Sequence, residues 1–173
     1  IMISGESGTG KELIARSIHA RSRRKNRAFV PVNCSAFPEH LFEAELFGYE
    51  KGAFTGASGR KKGLLEFSNG GTFFLDEVCE MPQSLQVKML RVLQDQKLRR
   101  LGGNELIQVN VRIISASNRN MEEMLQNGLL REDFYYRLNV INIHIPPLCE
   151  RREDIPLISN YFLKRFLKTS PKD

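Results

Sequence analysis

The sequence predicts an α/β domain, a parallel β-sheet sandwiched between helices. Short apolar runs, IMIS, FVPVN, TFFLDE and VRIISAS, alternate with segments of helical periodicity; elements in that order build a parallel sheet covered by helices. TFFLDE is apolar on both faces, as a central parallel strand must be. A glycine-rich turn, GESGTG, separates the first run from the first helical segment. Sheets of this class bind ligands at the carboxyl ends of their strands.

IMIS reads as the end of a buried strand. In KELIARSIHA, Leu13, Ile14, Ser17 and Ile18 fall on one helical face, the expected inner face. FVPVN is a second strand. Pro38 and Glu39 open a helix that runs through Leu46 and stops at Gly48. After a glycine-rich loop, GLLEFS predicts a short helical turn, TFFLDE a strand, and Pro82 the start of a helix with Leu85, Met89, Leu90 and Leu93 in register. KLRRLGGNELIQV predicts a β-hairpin turning near Gly102–Gly103. VRIISAS is a buried strand, MEEMLQ a helix, VINIHI the last strand, and Pro146–Pro147 a boundary. Residues 1–147 thus form the core. Residues 148–173 begin a second unit, with a helix from Glu153 to Phe166.

The 173 residues suffice for one domain with a hydrophobic core. No apolar run is long enough to span a bilayer, and IMISGESG has neither the basic start nor the apolar middle of a signal peptide, so the expectation is a soluble, cytoplasmic chain. The net charge of +6 is spread over Arg21–Arg27 and Arg60–Lys62, which favours solvated loops over a nucleic-acid stripe. Cys34, Cys79 and Cys149 are far apart and lack CxxC spacing; His19, His40 and His144 are equally scattered. Neither set predicts a disulfide framework or a zinc site.

GESGTGK, comprising Gly5, Glu6, Ser7, Gly8, Thr9, Gly10 and Lys11, has the GxxxxGK spacing of a phosphate-binding loop. Small residues let backbone N–H groups converge on phosphate oxygens, and the following helix adds its dipole. Lys11 would reach the outer phosphates. The three fixed letters arise by chance in roughly one chain in twenty of this length, so the position between strand and amphipathic helix strengthens the match. Glu12 stands where the motif wants a hydroxyl. Asp76, ending an apolar strand, suits a Mg²⁺ site, and Glu77 beside it can polarise an attacking water. The pair points to hydrolysis of a nucleoside triphosphate, chemistry that rests on positioning and charge stabilisation. Asn33 and Asn118 also end strands; each is either a turn former or a contact to the γ-phosphate or Glu77. Arg131 and Arg137 either pair on the surface with Glu132 and Asp133 or enter a neighbouring subunit's site as arginine fingers.

The segment GYEKGAFTGASGRKKG sets a lone Phe54 among glycines and lysines. Such a side chain either tucks into its own core or waits for a partner.

GESGTGKE, ELFGYEKGAFTGA, GGTFFLDE, NVRIISASNR and LREDFYYRLNV, in this order, resemble the AAA+ ATPase domain of bacterial enhancer-binding proteins, the NtrC-like, sigma-54-dependent transcriptional activators. The resemblance covers nearly the whole chain, and GAFTGA is its most specific element. It implies an AAA+ P-loop NTPase fold ending in the start of a helical lid, with ATP and Mg²⁺ as ligands. Lys11 would belong to Walker A, Asp76 (metal) and Glu77 to Walker B, Asn33 to the glutamate switch, Asn118 to sensor I, and Arg131 and Arg137 to the trans-acting arginines. Glu12 is ordinary in this family. Gly52, Ala53, Phe54, Thr55, Gly56 and Ala57 would form loop 1, which touches sigma-54 RNA polymerase holoenzyme, with Phe54 and Thr55 at its tip. The hairpin near Gly102–Gly103 would be loop 2, moving with it. A homo-oligomeric ring, a hexamer by family, is expected, with enhancer DNA bound only by a domain outside this chain. The chain resembles a partial catalytic domain, starting inside the first strand and ending before the family's sensor II arginine. Tyr49 replaces a common His and Cys149 an Arg; neither is expected to touch the chemistry. The alternatives are another AAA+ ATPase, of unfoldase or helicase-loader type, and a nucleotide-gated interaction module without catalysis.

Overall fold

The computed structural model describes residues 1–169. In chain order these form β1 (Met2–Ser4), α1 (Lys11–Ala20), β2 (Phe29–Asn33), α2 (Glu39–Phe47), β3 (Gly48–Tyr49), β4 (Lys61–Lys62), α3 (Leu64–Phe67), β5 (Thr72–Asp76), α4 (Gln83–Asp95), β6 (Lys97–Leu98), β7 (Ile107–Gln108), β8 (Arg112–Ser117), α5 (Met121–Gln126), α6 (Glu132–Leu138), β9 (Asn142–His144) and α7 (Asp154–Thr169). β1, β2, β5, β8 and β9 make one parallel sheet in the order β2-β5-β8-β1-β9. β2 lies at an edge, which explains how it tolerates Pro31: a missing N–H there breaks no ladder bond on the open side.

The sheet's two faces follow from side-chain alternation. Phe73 and Leu75 of β5 join Phe42 and Leu46 of α2, Leu85 and Met89 of α4 and Phe134 of α6 in the larger core. Phe74 points the other way, to Ile3, Ala15, Ile114, Ala116 and Ile145. A strand buried on both faces has no room for polar alternation, and TFFLD has none.

The expected inner face of α1 is corrected. Its buried residues are Lys11, Ala15 and His19, while Leu13 and Ile14 are exposed and Ile18 is only partly buried. The spacing i, i+4, i+8 is helical, but two of the three positions are polar. Each is buried for a hydrogen bond: Lys11 to loop carbonyls, and His19 Nδ1 to Thr72 Oγ1 at 2.9 Å. Ala15 between them lets the helix approach the sheet closely. In α4 the stripe is Leu85, Gln86, Met89 and Val92, with Leu90 and Leu93 at its margin.

Two small antiparallel ladders stand outside the sheet: β3 with β4, and β6 with β7. The second is the expected hairpin. Cys34 and Cys79 are buried and Cys149 exposed; burial pushes both buried thiols up, that of Cys34 well above its usual range with Asp76 and Glu77 adding to the effect. Among the described residues no helix is long and apolar enough to cross a membrane.

Candidate functional site

The strand register brings the site to one edge of the sheet. Asn33 pairs with Asp76, Leu75 with Ser115, and Ser4 with Ser117. The carboxyl ends of β2, β5, β8 and β1 therefore stand level, and these ends with the residues just beyond them carry Asn33, Asp76–Glu77, Asn118 and Gly5–Lys11.

Gly5 is required by close approach: a Cβ there would meet the Ile145 carbonyl oxygen at 2.5 Å. The loop arches over the start of α1, where Gly10 provides no side-chain cap. The N–H groups of a helix's first turn have no intrahelical partners, so this end of α1 keeps uncapped donors beside the loop. Lys11, 8% exposed, donates from Nζ to the Gly5 carbonyl at 2.9 Å and the Glu6 carbonyl at 2.8 Å. Its ammonium is thus held at the loop's centre. Arg151, just before α7, donates to the Thr9 carbonyl at 2.9 Å. No sequence pattern announces that contact, which joins positions 142 residues apart. Uncapped donors and a centred ammonium suit a polyphosphate.

Asp76 Oδ1 accepts the Glu77 N–H at 3.0 Å, leaving its other oxygen for a cation. Among the described residues no group of three or more His, Cys, Asp or Glu could hold a metal ion by itself. A single carboxylate fits magnesium, which keeps waters and phosphates as its other ligands. Burial pushes the Asp76 carboxyl above the usual carboxylate range; its bond from the Glu77 N–H opposes this, Glu77's charge reinforces it, and Lys11's charge opposes it. A carboxyl whose folded pKa lies above its unfolded one destabilises the fold while ionised, and that cost fades as pH falls through the folded value. Asp76→Asn should therefore raise the melting temperature at neutral pH by about 1–3 °C. Melts repeated at acidic pH should show the gain shrinking.

Glu77 sits in the left-handed region, φ 51° and ψ 47°, turning the chain sharply after β5. Its Oε2 accepts from Ser35 Oγ at 2.6 Å. Ser35 Oγ also lies 2.8 Å from Asn33 Oδ1. Asn33 and Glu77 are thus neighbours through Ser35 rather than directly bonded.

Asn118 is exposed just past β8. Arg131 pairs bidentately with Asp133, at 3.0 and 2.8 Å, the surface pairing considered from sequence. Its backbone N–H donates to Gln86 Oε1, and Gln86 Nε2 donates to the Met81 and Leu129 carbonyls. This fully buried, fully bonded glutamine fixes where α6 begins; its only sequence signal is a polar residue on an apolar stripe. Arg137 is exposed and donates to the Leu93 carbonyl at 3.1 Å. Among the described residues neither arginine bonds to its own phosphate loop or carboxylate pair.

The loop from Gly52 to Ala57 projects between β3 and β4. Its neck is closed by a bond from the Gly52 N–H to the Ala57 carbonyl at 2.9 Å. Phe54 is 44% exposed, and its ring meets Tyr49 edge-on, centroids 5.0 Å apart. Tyr49, outside the expected chemistry, is the aromatic rest for the loop's tip. The hairpin lies against this loop. The Glu50 N–H donates to the Leu101 carbonyl, and the Leu101 N–H to the Gly48 carbonyl, each at 2.9 Å. Gly102 comes so near that a Cβ would sit 2.8 Å from that of Ala53. Arg100, its side chain 3% exposed, bonds Glu50 at 2.7 Å and Glu66 at 2.5 Å. One buried guanidinium therefore ties the loop's base to the hairpin and to α3, a network that sequence reasoning missed.

The sequence profile of the sigma-54 interaction domain matches residues 1–144. The chain belongs to that family. It is an NtrC-like AAA+ domain, and its fold is that of AAA+ P-loop NTPases. It is 55% identical over 173 residues to the regulatory protein AtoC of Escherichia coli K12, covering all of this chain and 38% of that protein. It is 54% identical to a Nif-specific regulatory protein of Herbaspirillum seropedicae, covering 96% of this chain and 31% of that one. Crystalline NtrX from Brucella abortus in complex with ATP superposes with a TM-score of 0.90 at 45% identity, covering 98% of this chain and 36% of that one. The chain thus spans about a third of the length of these relatives.

Proposed function

We propose that this sigma-54 interaction domain binds ATP with Mg²⁺, hydrolyses it to ADP and phosphate, and uses the Gly52–Ala57 loop to remodel sigma-54 RNA polymerase holoenzyme so that promoter DNA opens. It works in the cytoplasm within a homo-oligomeric ring, a hexamer, with enhancer DNA bound by a domain outside this chain. Residues 1–147 are the catalytic core, and the described residues from 148 on belong to a lid.

Gly5 to Glu12 bind the phosphates, Lys11 by its charge and the loop and first helical turn by their N–H groups. Asp76 would hold a magnesium ion, which when bound would supply charge neutralisation. Glu77 orients and polarises a water. The water's oxygen bonds to the γ-phosphorus, the bond to the β–γ bridging oxygen breaks, and Glu77 draws the water's proton. Asn33 governs where Glu77 points and Asn118 contacts the γ-phosphate. Arg131 and Arg137 serve the neighbouring subunit, where their charge stabilises the transition state.

One observation carries the coupling. The aromatic tip at Phe54 stands exposed on a loop whose base is hydrogen-bonded to the hairpin and locked by Arg100. A half-exposed Phe at a glycine-flanked tip is a contact waiting for an apolar partner. Its full burial is worth about 1.5–3 kcal/mol, and several loops in one ring multiply that through effective concentration. Phe54→Ala should lower open-complex formation by about tenfold or more, measured by in vitro transcription from a sigma-54 promoter, while ATP binding remains. Parental activation by that variant would remove the loop from the mechanism.

A further inference from the structure

We infer that Ser35 is a positioning residue for Glu77, its hydroxyl donating alternately to Glu77 and to Asn33. This rests on the catalytic role proposed for Glu77. Ser35 Oγ lies 2.6 Å from Glu77 Oε2 and 2.8 Å from Asn33 Oδ1. A serine hydroxyl has one proton to donate, so the two acceptors compete for it.

The surroundings hold the backbones on either side of that choice. The Ser35 N–H donates to Asn33 Oδ1 at 2.8 Å; that bond sets the amide's orientation, with oxygen toward Ser35. The backbone of Glu77 is held at both ends: its N–H donates to Asp76 Oδ1 at 3.0 Å and its carbonyl accepts from the Glu80 N–H at 2.9 Å. The Glu77 side chain and the Ser35 hydroxyl are the groups left to turn between these held backbones. A hydrogen bond to an ionised carboxylate is shorter and stronger than one to an amide, and the distances order that way. Donation to Glu77 therefore gives its carboxylate a defined resting place at Ser35. When the carboxylate swings to a water, the O–H rotates to Asn33 Oδ1, already in reach, and no donor is left unmet. Asn33 acts on Glu77 through this hydroxyl. Ser35 is exposed, so the hydroxyl has no packing duty to confuse the test.

Removing the hydroxyl removes the resting place. In the full chain, Ser35→Ala should raise kcat for ATP hydrolysis by roughly three- to tenfold, with KM for ATP within about twofold. Ser35→Thr, which keeps the hydroxyl, should return kcat to the parental value. Glu77→Gln should abolish turnover with either residue at position 35. An unchanged or lowered kcat in Ser35→Ala, with Glu77→Gln inactive, overturns the role of Ser35 and leaves that of Glu77 standing. A Ser35→Thr protein that behaves like Ser35→Ala also overturns it, because the hydroxyl is then not the cause. Loss of ATP binding in Ser35→Ala by equilibrium titration counts the same way, since a group acting only through Glu77 has no hold on the nucleotide. Parental hydrolysis by Glu77→Gln instead overturns the catalytic reading itself.

Discussion

Lys11→Ala should lose ATP binding by about a hundredfold or more, read by equilibrium titration with a fluorescent ATP analogue. The size of the effect follows from where the ammonium sits. Lys11 is nearly buried and held by the carbonyls of Gly5 and Glu6. Those bonds pre-order the charge at the loop's centre, so little conformational freedom remains to be lost when phosphate binds. Charge-assisted bonds are about twice as strong as neutral ones, and a partly enclosed site screens them less than water does. The truncation also leaves two carbonyls without their donor, and the loop slackens. Affinity within about twofold of the parent would mean that Gly5 to Lys11 do not form the nucleotide site. Lys11→Arg is the informative companion. It keeps the charge, but its larger planar guanidinium does not fit the place of the compact ammonium between the two carbonyls, so it should fall well short of restoring binding.

The elements of this fold were legible because their signals are local. TFFLD is apolar without alternation, GESGTGK sits between strand and helix, and Gly102–Gly103 marks a hairpin turn; each stretch carries its own reason for its shape. The inner face of α1 was misread because two of its buried positions are polar, one of them the lysine of the phosphate loop. Periodicity looks for apolar residues, so it chose Leu13 and Ile14. The fold instead buries Lys11 and His19, whose hydrogen bonds satisfy them. Conflict between local pattern and tertiary placement is expected where a site is being built. What sequence could not show were contacts across long separations: Ser35 with Glu77, Arg100 with Glu66, and Arg151 with the phosphate loop. Nothing in the composition of NCSAF says that its serine faces a carboxylate 42 positions away. Likewise the Arg100 side chain, in a hairpin rich in charge, gave no sign of being buried between two glutamates.

Arg137→Ala should bind ATP as the parent does yet hydrolyse it at least a hundredfold more slowly, the order expected for a lost arginine finger. The local structure separates Arg137 from Arg131. Arg131 is clamped bidentately by Asp133, so freeing its guanidinium sacrifices two charge-assisted bonds. Arg137 gives up one bond, to the Leu93 carbonyl, and it is exposed at the last turn of α6. Of the pair, Arg137 is the freer to reach across to a neighbour, and its removal should cost more turnover than that of Arg131. Arg137 borders a cavity of about 250 Å³ lined by Val92, Leu93, Val111, Ile113 and Val140, where its stem could serve only packing. Mixed assemblies decide between the two. An Arg137→Ala subunit retains its own phosphate loop, and a Lys11→Ala subunit retains its arginine. Co-assembly therefore creates sites with one sound half from each. If Arg137 acts in trans, mixing two inactive proteins restores part of the hydrolysis; if it only packs the cavity, the mixture stays inactive and Arg137→Ala alone shows a lowered melting temperature.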